Sequence, residues 1–315
     1  MLAKAGDELG ITRERARQVF HRAIGQIRAC ELSPSFDQIL ALVHRRRNRA
    51  ADDVQAELQL RRFTRHRFGL RAICDTARVF GRAPEFVLEE AGGKLFVVAE
   101  PGTVRSILKA ATRSSRQYGL QTVAEICGAI TPDCRSASGG LLVRQVLSTR
   151  ADLRWLDARQ KWFWLAAVPQ NPVVGCIKKL LQYAGSVCLA DIQQATRRLP
   201  RKRTKPISDE ALLGLCRQAP FCRLRADSIE PAGSIEPGLI SRAESKVCRI
   251  LKRNGNELKF GCLEALCAAA GVSRPNLWRI LRYSPLIFRR APQVYALVTP
   301  ATRGPSASRR GSVSA

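Results

Sequence analysis

The feature that most constrains the fold of this chain is a change of hydrophobic period that recurs along it. Within residues 33–100, apolar positions at helical spacing predict three helices, at about residues 36–44, 51–58 and 66–80. The spacing then alternates over residues 85–88 and 95–98, on either side of a Gly92-Gly93 turn, which predicts a β-hairpin. Three helices followed by a hairpin is the element order of a winged helix. A mainly α fold with small hairpins is therefore expected.

The same order recurs, and this internal repetition is the main architectural clue. We expect an N-terminal helix-turn-helix followed by tandem winged-helix-like units with small β-hairpin wings. The expected bounds are residues 1–32 for the helix-turn-helix, 33–100, 101–169, 170–227 and 240–298 for the four units, 228–239 for a linker and 299–315 for a tail. The linker holds the sequence Ser-Ile-Glu-Pro twice, and the tail is basic and rich in Ser, so the tail is expected to be disordered.

Three of the four tryptophans lie in the predicted hairpin of the second unit, at Trp155, Trp162 and Trp164. Large rings at alternating strand positions favour packing in the core and under the wing. A platform on which nucleic-acid bases stack is the alternative.

The charge of the chain indicates an anionic partner. Lys and Arg number 53 against 26 Asp and Glu, which gives a formal net charge of +27. Nucleic acid is the leading candidate, because cations that neutralise phosphates release condensed counterions. A ribosomal surface is an alternative, whereas no basic amphipathic helix of the membrane-surface type is found. The densest basic run is residues 197–205, and it predicts phosphate contacts for Arg201, Lys202, Arg203 and Lys205.

The opening stretch, residues 2–28, has the form of a helix-turn-helix. It predicts a short helix at residues 2–9, a turn at 10–12 and a long helix from Arg13 to about Ile27, with Thr12 as the N-cap. Apolar residues at helical spacing predict the buried side, namely Ala16, Val19, Ala23 and Ile27. The other side presents Arg13, Glu14, Arg17 and Gln18. Arg and Gln can make paired hydrogen bonds to base edges, and Glu can accept one from cytosine.

The words GITRERARQ and AIGQIR in this stretch resemble the region-four recognition element of bacterial primary sigma factors, in which a helix enters the major groove. The resemblance covers about the first tenth of the chain. It implies base contacts for Arg13, Glu14 and Gln18, phosphate contacts for Thr12, Arg17 and Arg22, and RNA polymerase as a partner. Phe20 and Ala16 depart from the family pattern, and Met1 falls inside the first helix of the motif, so a complete sigma factor is not expected.

The fourth unit gives the clearest helical pattern. Its stretch AAAGVSRPNLWRILRYSPLIFRRAPQVYALV resembles winged-helix modules of transcription-associated proteins, including the HARE type. The third helix of the unit would expose Asn276, Arg279 and Arg282 as secondary nucleic-acid contacts, while Trp278 could be core or surface. Such modules bind proteins as often as DNA, so a protein partner is a second expectation.

Motifs for catalysis, cofactors and membrane insertion are not found. The sequence contains no phosphate-binding loop, nucleophile elbow, zinc-protease motif or dinucleotide fingerprint, so neither an enzyme nor a cofactor is expected. The eleven cysteines include no C-x-x-C pair, which favours reduced core residues over a metal site, as at Cys74, Cys127, Cys176, Cys248 and Cys267. Neither a membrane span nor a secretory signal is found, so a bacterial cytoplasmic location at the nucleoid is expected.

The function expected from the sequence is sequence-specific binding of double-stranded DNA in the initiation or regulation of transcription. An alternative of another class is a non-catalytic scaffold subunit of a DNA-processing or defence complex, whose winged helices bind proteins. RNA binding is the third possibility, and tighter binding to structured RNA than to duplex DNA would indicate it.

Overall fold

The computed structural model describes residues 7–28, 34–64, 68–130, 137–199, 206–226 and 228–300. Most of the predicted first helix, the basic run from residue 201 to 205 and the tail from residue 301 lie outside the described residues. The chain divides into two bodies. The first body comprises Met1–Ala110 and Ala124–Ala151, and the second comprises Ala111–Val123 and Asp152–Ala315.

The opening element contains helix α1, Arg13–Arg28, preceded by a turn at residues 9 and 10. The Thr12 cap is confirmed: its Oγ1 accepts a hydrogen bond from the Arg15 amide at 3.2 Å, and its carbonyl accepts one from the Ala16 amide at 2.9 Å. The predicted buried side is only partly correct. Ala16 is buried, but Ala23 is exposed and Val19 is 48% exposed, although α1 contacts the helix Leu70–Val79. The burial of Ile27 lies outside what the structure describes.

The first unit has the predicted order, with one addition. Its elements are α2 Pro34–Arg45, β1 Arg49–Ala50, α3 Ala51–Leu60, α4 Leu70–Val79, β2 Val87–Ala91 and β3 Lys94–Val98. The added strand β1 pairs with β3, so the antiparallel sheet has the order β1-β3-β2. The core between helices and sheet is apolar and includes Leu42, Val43, Val54, Leu58, Leu70 and Val97.

The second unit repeats this order along the chain. Its elements are α5 Thr103–Tyr118, β4 Gln121–Thr122, α6 Val123–Ala129, α7 Ala137–Leu147, β5 Leu153–Trp155 and β6 Trp162–Leu165, with the sheet order β4-β6-β5. The division between the bodies runs through this unit, since α6 and α7 belong to the first body and the sheet to the second. In the first body, for example, the Ala50 amide donates to Gln145 Oε1 at 2.9 Å. Trp162 and Trp164 are buried, as core packing requires.

The third unit contains the main difference from the sequence prediction. Its elements are α8 Pro172–Ala184, α9 Leu189–Thr196, α10 Asp209–Gln218, β7 Cys222–Arg225 and β8 Ser228–Pro231. The sequence pattern places residues 228–231 in a linker, yet they form β8, which pairs with β7. Ile229 is buried and exchanges backbone hydrogen bonds of 3.0 and 2.8 Å with Val187. Because that partner lies some forty residues earlier, the strand is not visible in the local pattern.

Close packing also holds the third unit to the strand region of the second. Gly214 lies in α10 with its Cα directly against the backbone of Leu156. A Cβ at position 214 would lie 2.0 Å from the Leu156 carbonyl oxygen, so only glycine fits there.

The fourth unit again has the full order. Its elements are α11 Arg242–Arg253, β9 Glu257–Lys259, α12 Phe260–Ala269, α13 Arg274–Tyr283, β10 Ile287–Ala291 and β11 Val294–Leu297, with the sheet order β9-β11-β10. Glu244 is buried under α11, where it accepts hydrogen bonds from Lys179 Nζ at 2.7 Å and from Ser284 Oγ at 2.6 Å. Apolar residues of the third and fourth units share one core.

The described residues thus form a mainly α chain with small antiparallel hairpin sheets, as predicted. In each three-stranded sheet the short strand after the first helix pairs with the second hairpin strand, and Val187 does the same in the third unit. Asn48 and Asn256 occupy equivalent turns between first helix and short strand, with φ of 69° and 66°, a conformation that asparagine tolerates better than most residues. Within the described ranges, no helix is both long and apolar enough to cross a membrane.

Candidate nucleic-acid interface

The polar side of α1 is open to solvent. Arg13, Glu14 and Gln18, predicted to contact bases, are all exposed, and so are Thr12, Arg17 and Arg22, predicted to contact phosphates. Glu14 forms an ion pair with Arg17 at 3.0 Å, and Arg15 donates to Gln18 Oε1 at 3.3 Å. The structure therefore brings the predicted residues together on one helix.

The side chains of α1 differ in whether they must break an existing contact before they can bind a ligand. The side chains of Arg13 and Arg22 form no hydrogen bond or ion pair with any residue that the structure describes. The pair between Glu14 and Arg17 is more than half exposed on both sides, and such pairs contribute at most about 1 kcal/mol. Exchanging it for contacts with a base or a phosphate would therefore cost little.

The other predicted residues fall into two groups. Arg201, Lys202, Arg203 and Lys205 lie outside the described residues, so their phosphate contacts remain predictions. Asn276, Arg279 and Arg282 are all exposed on α13, as expected. The guanidinium of Arg282 lies over the Tyr283 ring, 5.2 Å from its centroid.

A row of cations on α11 was not predicted. Arg242, Lys246, Arg249 and Arg253 are all exposed. Their spacing of four, three and four residues places them on one face of the helix. The opposite face holds buried Val247 and Leu251, and the single acid of the helix, Glu244, is turned inward to Lys179.

Helix α5 carries a comparable row. Its exposed cations are Arg105, Lys109, Arg113 and Arg116, again at helical spacing, and the helix contains no acid. Both α5 and α11 are the first helices of their units. The spacing of basic residues in the sequence is a sufficient signal for both rows, whereas a contiguous basic run, such as residues 197–205, is absent from either helix.

The five cysteines predicted to lie in the core are buried and form no disulfide bond, namely Cys74, Cys127, Cys176, Cys248 and Cys267. Burial raises the pKa of Cys176 to about 12, and burial, followed by the nearby charge of Glu244, raises the pKa of Cys248 to about 12. These thiols are therefore protonated and unreactive near neutral pH. Among the described residues, no three His, Cys, Asp or Glu side chains are grouped closely enough to hold a metal ion.

The cationic surfaces of α1, α11 and α13 fit an anionic polymer, since each presents several exposed Arg or Lys side chains along one helix. Comparison with known proteins adds no family to this geometry. No protein-family model matches the chain, and no curated protein matches it either.

Proposed function

We propose that this chain binds double-stranded DNA and that α1 contacts base edges in the major groove. The observation that carries the proposal is the exposed polar side of a capped sixteen-residue helix, with Arg13 and Gln18 near its beginning. A helix of this length spans about 24 Å and has the diameter that the major groove accepts. Recognition helices contact bases mainly through residues near their N-terminus, where Arg13 and Gln18 lie.

Each side chain has a role that fits its chemistry. Arg13 is free to form a bidentate pair with guanine, and Gln18 can pair with adenine once Arg15 releases its oxygen. Glu14 accepts from a cytosine amine, while Thr12, Arg17 and Arg22 hold phosphates.

Most of the affinity is supplied away from α1. In this proposal, the four cations of α11 and the exposed Arg279 and Arg282 of α13 contact phosphates. The basic run at residues 201–205 adds further contacts. Each phosphate contact releases counterions, so binding depends strongly on salt.

The setting that we propose is the regulation of transcription, with RNA polymerase as a possible partner and a location at the nucleoid in the bacterial cytoplasm. This part rests on the resemblance of residues 2–28 to sigma region four. The units that follow are proposed to be winged helices, which agrees with their element order and sheet order.

The test is selection of bound duplexes from a random pool, with the wild type beside Arg13→Ala and Gln18→Ala. Both variants should lose the selected sequence preference by about tenfold while keeping most nonspecific binding. The matched control Arg78→Ala removes an exposed arginine that is paired with Asp75, and it should leave the preference unchanged. Equal losses on every sequence from Arg13→Ala and Gln18→Ala would make α1 a phosphate-binding helix only.

A second function is favoured by one observation. Leu9 is 68% exposed, and Val19 and Phe20 are each 48% exposed, so the opening element presents apolar side chains to solvent. A scaffold subunit that binds a protein would cover them. Phe20→Ser should then abolish co-purification with that partner and leave DNA binding unchanged.

A further inference from the structure

The fourth unit presents a large aromatic side chain to solvent. Trp278 lies on α13 and is 48% exposed. Its ring packs on Phe260, with the centroids 4.8 Å apart and the planes at 40°. Phe260 in turn packs on Tyr295, with centroids 6.2 Å apart. Three aromatic rings are therefore contiguous, and the outermost one, Trp278, is about half exposed.

The residues around this aromatic cluster of Phe260, Trp278 and Tyr295 are basic. Lys259 directly precedes Phe260 and is exposed, while Arg279 and Arg282 follow Trp278 on the same helix. Arg274 and Arg282 lie one turn before and one turn after Trp278, which places each about 6 Å along the helix axis from it. Arg274 is paired with Glu264 at 2.6 Å, whereas Lys259, Arg279 and Arg282 have no ion pair with a described residue.

The acids of this unit do not offset that charge at the cluster. Residues 240–298 contain eleven Lys and Arg and only three acids. Glu244 is buried against Lys179, Glu257 is paired with Arg290 at 2.5 Å, and Glu264 is paired with Arg274. A cationic ligand, which an aromatic surface could otherwise attract, would be repelled here. The partner that fits is an anion that also carries flat π-systems.

We propose that the aromatic cluster binds single-stranded nucleic acid, with an unpaired base stacked on Trp278 and the flanking phosphates held by Arg279, Arg282 and Lys259. An aromatic face bordered by cations is the usual arrangement of single-strand binding surfaces, because every base has a π-face. Bases in a duplex are stacked on each other and cannot use such a face. This activity is additional to the base contacts proposed for α1 and does not depend on them, and it shares only Arg279 and Arg282 with the duplex phosphate contacts proposed above.

The test uses the full chain and a short oligothymidylate, with intrinsic fluorescence and anisotropy as readouts. Trp162 and Trp164 are buried and Trp155 is half-buried, so Trp278 is the most exposed of the four tryptophans. Stacking on it should quench part of the emission, and Trp278→Leu should remove that quenching. Trp278→Leu should weaken binding of the oligothymidylate by about tenfold, and Trp278→Phe should keep most of the affinity. Binding of a mixed-sequence duplex should be the same in both variants as in the wild type.

Phe68→Leu is the matched control, since Phe68 is an aromatic side chain with 53% exposure in the first body. It should leave single-strand affinity unchanged. If Trp278→Leu, with an unaltered circular dichroism spectrum, binds the oligothymidylate as tightly as the wild type, the proposal is wrong. An equal loss for single strand and duplex would also overturn it. Binding of single strands through Trp278 without any duplex binding would support this proposal and refute the duplex function.

Discussion

The first and fourth units share their order of elements and their sheet order but differ in how their charges are used. Residues 34–98 contain twelve Lys and Arg and eight acids, against eleven and three in residues 240–298. In the first unit several acids pair with arginines, as Glu57 does with Arg46 and Arg61 at 2.8 and 2.9 Å. In the fourth unit one acid is buried, and most cations have no ion pair with a described residue.

The comparison shows that two units with the same fold can differ in the charge of their exposed surfaces. The same helices and hairpins are built in both units, because the apolar positions that face the core are alike in spacing. What distinguishes them is the charge of the exposed side: the first unit has eight acids against twelve cations, whereas the fourth has three against eleven and so has the larger positive charge with which to attract an anion. We therefore propose nucleic-acid contacts for α11 and α13, in addition to α1, and none for α3 and α4.

The largest effect is expected from removing the buried acid of the fourth unit. Glu244→Gln leaves Lys179 without its partner in a largely buried place, which should lower the free energy of unfolding by about 3 kcal/mol. In the first unit, burial alone would raise the pKa of Glu57, but Arg46 and Arg61 lower it overall. Glu57→Gln should cost only about 1 kcal/mol, because its two arginines stay hydrated. Urea denaturation of both variants measures this, and equal losses would contradict the contrast.

A smaller effect is expected on DNA affinity from the cation row of α11. Replacing Arg242, Lys246, Arg249 and Arg253 together by Gln should weaken duplex binding by about 100-fold near physiological salt. The dependence of log K on log salt should flatten by about 0.9 for each phosphate that the variant no longer neutralises.

The matched control for this row is a fourfold Gln variant of the first unit, at Arg46, Arg61, Arg71 and Arg78. It removes the same charge, but these arginines are paired with acids, so a loss of about threefold is expected. Fluorescence anisotropy over a salt series compares the two. If both variants lose affinity equally, net charge alone controls binding and the units are equivalent.

Local features were predictable from the sequence, and long-range ones were not. The Thr12 cap followed from one residue and the helix after it, and the hairpins followed from alternation around a turn. Strands β1, β4 and β9 are only two or three residues long and form by pairing with a hairpin strand. They are too short to show an alternation of apolar and polar residues from which they could be predicted. Strand β8 is invisible to the local pattern for the same reason, since Val187 is its partner.

The candidate site was predictable to the extent that it depends on helical spacing. Asn276, Arg279 and Arg282 were placed on the exposed side of α13 correctly, and the α11 row follows from the same spacing rule. The exposure of Val19 and Trp278 does not follow from helical spacing. It depends on whether another element of the fold packs against that side of the helix. Apolar spacing identifies a face that can be buried, and only the packing decides whether it is.

A third prediction uses the buried thiols, which number two in the fourth unit, Cys248 and Cys267, and one in the first, Cys74. Burial raises the pKa of Cys248 from 9.0 to about 12, so between these values the thiol ionises in the unfolded chain and stays protonated in the folded chain. The contribution of the protonated Cys248 thiol to the free energy of unfolding is present in full well below pH 9 and is lost as the pH rises from 9 toward 12. At about pH 10 the loss should be about 1.4 kcal/mol relative to about pH 8.

Cys248→Ala separates this thiol from other titrating groups. The variant is less stable at both pH values because of the cavity, but its stability should fall less between them than that of the wild type. Urea denaturation at the two pH values gives the difference. A wild type and variant with the same pH dependence would show that the Cys248 thiol does not resist ionisation in the folded chain.

The smallest effect tests whether an arginine gains function when its acid is removed. Glu264→Gln in the fourth unit frees Arg274, which lies one turn before Trp278, and Glu90→Gln in the first unit frees Arg71. Arg71, Glu90 and Arg274 are exposed and Glu264 is half-buried, so neither change should alter the free energy of unfolding by more than about 1 kcal/mol. If position decides function, Glu264→Gln should tighten binding of the oligothymidylate by about twofold and Glu90→Gln should not. Anisotropy titrations on both variants measure this. Equal gains would mean that any released arginine attracts the strand, and the distinction between the two units would then be one of total charge and not of where the charge lies.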